Sequence, residues 1–94
     1  MAELVFKTGA YEGPLDLLLA LIAKNKMNIC DIQIFVIFDQ YMEYVSEMKR
    51  MDMDAAGEFI TMAAELMLIK SKTLLPKTEE DPREELVRKL MEYK

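Results

Sequence analysis

The stretch at 58–76, EFITMAAELMLIKSKTLLP, constrains this chain most because it is apolar around most of a helical circumference. Only Thr61 and Glu65 interrupt the apolar run between Phe59 and Ile69. At about 100° per residue, both lie in one polar stripe about 60° wide. A surface helix normally has one apolar stripe and a wide polar face. We therefore expect this helix to be covered on two sides, by its own domain and by something else. The alternative is a central helix that its own small bundle covers completely.

Charge and residue content argue against catalysis and against several kinds of ligand. The 94 residues suffice for one small domain, and the net charge of −5 disfavours a direct grip on nucleic acid. The chain contains no histidine, which is the commonest general base and metal ligand. Its three glycines cannot form a phosphate-binding loop. We therefore predict a non-enzymatic interaction module with no cofactor, no metal and no catalytic residues.

The single cysteine and the lengths of the apolar runs bear on the compartment. Cys30 excludes an internal disulfide framework, fits a reducing cytoplasm, and is expected to be a small buried apolar residue. The uninterrupted apolar runs are too short to cross a bilayer. The acidic balance and the lack of a basic amphipathic face argue against a helix that lies on a membrane. We expect a cytoplasmic protein with no membrane partner.

Turn and capping signals divide the chain into four helices, so the sequence predicts a small all-α domain. Gly13-Pro14 begins the first helix, at 14–25, because proline at the first helical position has a preset φ and no amide to leave unsatisfied. Further helices are predicted at 32–49, at 53–74 and from 82 onward. Acidic residues are the predicted N-caps of these three helices: Asp31, Asp52 or Asp54, and Asp81.

Two segments are ambiguous. Residues 2–7 form either a short strand or an extended N-terminal arm. Residues 32–38 are rich in β-branched and aromatic side chains, which favours a strand. Their apolar positions nevertheless continue at helical spacing as far as 48, and we predict a helix. The residues that widen its apolar face form a predicted self-association patch: Phe35, Val36 and Phe38.

Several stretches, in order and with near-identical spacing, resemble the family of segregation and condensation protein A (ScpA), the bacterial kleisin. YEGPLDLLL at 11–19 is similar to its FEGPLDLLL opening, and 31–41 resembles its DIPIxxITxQYL segment. The stretch at 58–76 resembles EFLVMAATLLxIKSRMLLP, and DPREEL at 81–86 matches the motif after the linker. The resemblance covers nearly the whole chain.

The chain also departs from the family pattern at a few positions. Gln33 replaces the usual proline, which removes some rigidity at the start of the second helix. Lys72 replaces the usual arginine, which removes any bidentate contact there. Phe35, Val36 and Phe38 stand where more polar residues are common, so the exposed side of this helix is expected to behave differently here.

The resemblance implies a non-enzymatic connector in chromosome condensation and segregation, located at the nucleoid through SMC. Kleisins bind the coiled-coil neck of one SMC subunit with their N-terminal domain, and the ATPase head of another with a C-terminal winged helix. Their middle region wraps a dimer of ScpB. By this resemblance, residues 1–76 are the SMC-neck-binding domain, 77–81 an acidic linker, and 82–94 the start of the ScpB-binding region. The last helical pattern has no closing residue, which predicts that the natural chain continues.

The resemblance and the helical pattern together assign roles to faces of the third and fourth helices. The core face of the third helix is predicted from its spacing: Phe59, Met62, Leu66 and Ile69. The predicted SMC-neck face lies opposite the polar stripe: Ile60, Ala63, Met67, Lys70 and Leu74. The apolar residues of the fourth helix either bind ScpB or fold back on the domain: Leu86, Val87 and Leu90.

A second interpretation is a self-assembling helical module without an SMC partner. In that case the apolar faces of the second and third helices form a homo-oligomer, and the isolated fragment homo-dimerises. Both interpretations predict an exposed apolar face, so they differ in the partner rather than in the fold.

Overall fold

The computed structural model describes residues 11–75 and 80–94, and these ranges contain four helices. The helices are α1 (Pro14–Lys24), α2 (Ile34–Met51), α3 (Gly57–Thr73) and α4 (Glu84–Tyr93). The predicted all-α class is confirmed. The segment 32–38, for which residue propensity favoured a strand, is helical from Ile34 onward. The predicted arm at 2–7 lies outside the described residues.

Local signals explain both ends of α1. Pro14 occupies the first turn, and the Asp16 carboxylate accepts a hydrogen bond of 3.0 Å from the backbone N–H of Glu12. At the other end, Lys26 adopts the left-handed region at φ 57°, although glycine is usual there. The Met27 N–H then donates to the Ile22 carbonyl at 3.0 Å, which closes the helix end. The predicted helix at 14–25 is confirmed.

The predicted N-caps, including the alternative Asp54, are wrong, because Gln33, Ala56 and Arg83 occupy the N-cap positions of α2, α3 and α4. Asp31 lies outside α2, which begins after Gln33, and its carboxylate faces Arg83 at 3.4 Å. Asp52 accepts a hydrogen bond from Ala55 at 3.2 Å within the turn before α3. Asp81 likewise bonds the Arg83 N–H at 2.9 Å, ahead of α4.

The segment between α2 and α3 is a turn rather than the first turn of α3. The predicted start of α3 at Met53 was therefore four residues early. Ala56 precedes the helix and is fully buried, whereas Met53 is exposed. Burying this small residue directs α3 back along α2.

Helices α2 and α3 form an antiparallel pair, because a short turn joins them and Lys70 near the end of α3 contacts Phe35 and Phe38 near the start of α2. A buried hydrogen bond links the pair, since the Tyr41 hydroxyl donates to the Phe59 carbonyl at 2.8 Å. The predicted core face of α3 is confirmed, and its members are buried: Phe59, Met62, Leu66 and Ile69.

Helix α1 contacts all three other helices and buries its own apolar face among them. The loop after α1 is held to α2 by a reciprocal amide pair. The Asn25 amide donates to Gln40 Oε1 at 2.7 Å, and the Gln40 amide donates to Asn25 Oδ1 at 3.0 Å. In the same loop Met27 and Ile29 pack against the core. The prediction that Cys30 is buried was therefore wrong, because it is exposed.

Helix α4 folds back on the domain. Leu86 and Leu90 are fully buried. Arg83 fastens the start of α4, because its guanidinium donates to the Ile32 carbonyl at 2.6 Å and to Asp81 at 2.8 Å. Farther along α4, the Lys89 ammonium lies 3.0 Å from the Glu65 carboxylate of α3.

We expect Leu86→Ala to lower the free energy of unfolding by about 2–5 kcal/mol, because it opens a cavity in the core. Met91→Ala, on the exposed side of the same helix, is the control and should change it by less than about 0.5 kcal/mol. Urea denaturation followed by circular dichroism measures both. Equal effects of the two variants would contradict the packing of α4 into the core.

The buried phenols predict a loss of stability at alkaline pH. Burial raises the pKa of Tyr41 well above its ordinary value, and burial together with the Tyr11 contact raises the pKa of Tyr44 to about 12. The folded chain therefore holds these protons to higher pH than the unfolded chain does. The stability that they contribute is complete below about pH 10 and is lost as the pH rises toward 12.

We expect Tyr41→Phe to cost about 0.5–1.5 kcal/mol at pH 7, because it removes one buried hydrogen bond. The same variant should lose less stability than the parent between about pH 10 and 12, because one titrating phenol is gone. Urea denaturation of both proteins across this pH range measures the difference. If the free energies of unfolding of both proteins fell in parallel with pH, Tyr41 would ionise as readily in the folded chain as in the unfolded chain.

Candidate partner-binding surface

The exposed side of α3 carries a row of apolar side chains that the other described residues of the domain leave uncovered. We name this row the α3 ridge: Ile60, Ala64, Met67, Leu68, Leu74 and Leu75. The last two follow Thr73 but continue the helical turn, since the N–H groups of Leu74 and Leu75 bond to Ser71 and Lys72 at 3.1 Å. On a helical projection the ridge spans about 120°, next to the buried face centred on Leu66.

Three of the predicted SMC-neck residues lie on this ridge. Ile60 is exposed, Met67 is 52% exposed and Leu74 is 70% exposed. Ala63, by contrast, is only 7% exposed, so its assignment to the neck-binding face is corrected. It lies about 60° from Leu66 on the projection, and there the neighbouring helices cover it.

Lys70, the fifth predicted neck residue, joins the ridge to α2. Lys70 follows Met67 by three residues and precedes Leu74 by four, so it lies between them on the helix surface. Its ammonium lies 4.7 Å from the centre of the Phe38 ring and 5.8 Å from that of Phe35. Lys70 thus brings the ridge next to the start of α2.

The predicted self-association patch is smaller than expected. Phe35 and Val36 are exposed, but Phe38 is only 9% exposed, and its ring lies beneath the Lys70 ammonium. Phe38 is therefore corrected to a largely internal residue. Phe35 contacts Lys70 and therefore lies next to the ridge. Val36, the following residue, lies about 100° farther around α2.

The structure places the three predicted ScpB-binding residues on the inner side of α4. Leu86 and Leu90 belong to the core, and Val87 is half-buried against it. This packing corresponds to the alternative in which α4 folds back on the domain. A role for these residues in binding ScpB stays a prediction.

Leu68 and Leu75, which are 55% and 62% exposed, are not among the predicted binding residues. The predicted face is a band opposite the polar stripe, and both leucines lie about 60–80° beyond its Ile60 edge, toward the polar stripe. Their seven-residue separation, parallel to that between Ile60 and Met67, was the available signal.

The ridge has the spacing of a coiled-coil seam. Exposed residues recur at intervals of four, three, four and three: Ile60, Ala64, Met67, Ser71 and Leu74. Leu68 and Leu75 lie beside this seam. Such alternating spacing keeps one face of a helix in register with a partner helix over several turns.

The described residues do not support a metal site or a membrane-spanning helix. Among residues 11–75 and 80–94, no group of three or more Cys, Asp or Glu side chains is placed to hold a metal ion. Within that part of the chain, no helix has the length and apolarity needed to cross a membrane.

The family model of Segregation and condensation protein ScpA matches residues 21–94, which include the ridge and most of the core. The chain belongs to the ScpA family. Its ridge therefore lies within the part of the chain that the ScpA family model describes.

Curated relatives in the ScpA family are similar over nearly the whole chain. Segregation and condensation protein A of Caldanaerobacter subterraneus is 54% identical over 97 residues, covering 94% of this chain. The proteins of that name from Clostridium acetobutylicum and Listeria welshimeri are 58% and 52% identical, covering 89% and 100% of this chain. The alignments span only 39%, 37% and 42% of the three relatives, respectively.

Glutamate substitutions distinguish the ridge from the core. We expect Met67→Glu to change the free energy of unfolding by less than about 0.5 kcal/mol, because its side chain stays in water. Ala63→Glu should lower it by about 3 kcal/mol or more, since it forces a longer, charged side chain into a packed helix contact. Thermal and urea unfolding measure both. A large loss in Met67→Glu would mean that the ridge is part of the core.

Proposed function

We propose that this chain is a non-enzymatic kleisin subunit of a bacterial SMC complex that acts in chromosome condensation and segregation. Its α3 ridge binds the coiled-coil neck of an SMC subunit, and later parts of the full-length protein bind ScpB. Membership of the ScpA family supports the role in chromosome condensation and segregation. The exposed seam of α3 is the single observation that carries the binding mode.

Leaving the ridge in water costs free energy, because its side chains are apolar. Monomeric domains rarely expose a long contiguous apolar surface unless a partner covers it. The ridge extends from Ile60 to Leu75, over about four helical turns. Covering it removes several leucine, isoleucine and methionine side chains from water, which stabilises a complex in proportion to the apolar area buried.

The shape of the ridge favours a coiled coil as the partner. A two-stranded coiled coil has a groove between its helices, and a third helix with seam spacing inserts its side chains into that groove. A wide ridge suits two partner helices better than one, since the seam and the flanking leucines can each face a different helix. Met67 at its middle adapts to either, because its side chain is unbranched and flexible.

In this proposal the chain connects other subunits and catalyses nothing itself. ATP hydrolysis belongs to SMC, and the net charge of −5 supports contact with DNA through partners rather than directly. The protein is then placed in the cytoplasm, at the nucleoid through SMC.

Self-assembly is the second candidate function. Phe35 lies next to the ridge through Lys70, so the two helices present a joint apolar surface to a second copy of the chain. In this case the ridge is covered by a homodimer, and no SMC partner is needed.

Co-purification with full-length SMC from the same organism tests the proposal, with wild type, Met67→Glu and Met91→Glu compared. Met67 and Met91 are similarly exposed, at 52% and 54%, but lie on α3 and α4. We expect wild type and Met91→Glu to bind SMC equally. Met67→Glu should bind at least about a hundredfold more weakly, because a buried unpaired charge in an apolar interface costs several kcal/mol.

Two other results of this experiment would contradict the proposed binding of the ridge to SMC. Binding that survives Met67→Glu moves the site to another face of the domain. If wild type fails to bind SMC and forms a dimer that Met67→Glu dissociates in light scattering, self-assembly is the function of the ridge.

A further inference from the structure

We propose that Lys70 selects the partner by forming an ion pair with a carboxylate of the neck, at the edge of the apolar seam. This inference rests on the proposed function and assigns a charge to the surface that the neck presents. The partner side chain is an aspartate or a glutamate, located where the neck faces the α2 side of the ridge.

The position of Lys70 in the seam is the first support. A seven-residue repeat has two core positions. Met67 and Leu74 occupy one of them and Ser71 occupies the other, so Lys70 immediately precedes the core residue Ser71. Residues at this flanking position form the charge pairs between helices that determine partner choice in coiled coils. The equivalent residue one repeat earlier is Ala63, so Lys70 is the charged flank on this side of the seam.

The surroundings of its ammonium are the second support. The ammonium lies over the rings of Phe38 and Phe35, at 4.7 and 5.8 Å from their centres. Two ring faces hold a cation in place by attraction to their electrons without neutralising its charge. Because the contact restricts this long side chain in the free chain, less conformational entropy remains to be lost on binding.

The lack of a counter-charge among the described residues is the third support. Across residues 11–75 and 80–94, no carboxylate lies within 4.0 Å of Lys70. Lys89 on α4, by contrast, is paired with Glu65 at 3.0 Å. A partner that covers the ridge also removes water from Lys70, and a desolvated cation needs a hydrogen-bonded anion. A neck without a carboxylate at this place is therefore disfavoured.

Lys72 supplies a matched control for the test. It is a lysine on the same helix, but it is exposed on the polar stripe and lies about 160° from Lys70 on the projection. Lys70→Glu and Lys72→Glu change the net charge equally, so a general electrostatic effect weakens both alike. A specific pair weakens only the first.

The experiment measures the Kd of the 94-residue chain for full-length SMC by calorimetry, with wild type, Lys70→Glu, Lys70→Met and Lys72→Glu. We expect Lys70→Glu to bind at least about thirtyfold more weakly and Lys70→Met about fivefold more weakly, because each leaves the partner carboxylate unpaired. Lys72→Glu should stay within about twofold of wild type. Melting curves of the free variants show whether loss of the ring contact weakens the fold instead.

Charge reversal on the partner identifies the carboxylate. Each acidic residue of the neck is changed to lysine in turn, and one of these changes should restore most of the affinity of Lys70→Glu but none of that of Met67→Glu. The inference is overturned if Lys70→Glu binds within threefold of wild type, if Lys72→Glu weakens binding equally, or if no reversal restores binding. Failure of wild type to bind SMC overturns the proposed function as well, so the two failures are distinguishable.

Discussion

The antiparallel contact between α2 and α3 is the interaction on which the rest of the domain depends. Tyr41 links the two helices through a buried hydrogen bond to the Phe59 carbonyl, and the apolar face centred on Leu66 packs beside it. Helix α1 lies against both members of this pair and also contacts α4. Once the pair fixes which side of α3 is internal, the adjacent apolar side has no covering element within the described chain.

Two neighbouring sides of α3 thus have different roles. The inner side stabilises the fold, and the α3 ridge beside it stabilises a complex if a partner covers it. Lys70 lies at the boundary, with its ammonium over two rings of α2.

Helix α4 is held at two places that are far apart in sequence. Arg83 bonds to the loop before α2, and Lys89 pairs with Glu65 on the polar stripe of α3. Since Leu86 and Leu90 fill the core, α4 acts as part of this domain rather than as an independent segment. The Caldanaerobacter subterraneus relative is more than twice as long as the region that matches this chain.

The sequence by itself determined the number of helices, their approximate bounds and the inner face of α3, because apolar spacing and proline act locally. It also carried the motifs that identify the ScpA family. Tertiary structure decided the rest: Asp31 faces Arg83 instead of capping α2, Cys30 is exposed, Ala63 is internal, and Phe38 lies beneath Lys70. Each of these depends on residues distant in sequence. A helical pattern shows how much of a helix is apolar, but only the packing of neighbouring helices decides which part stays exposed.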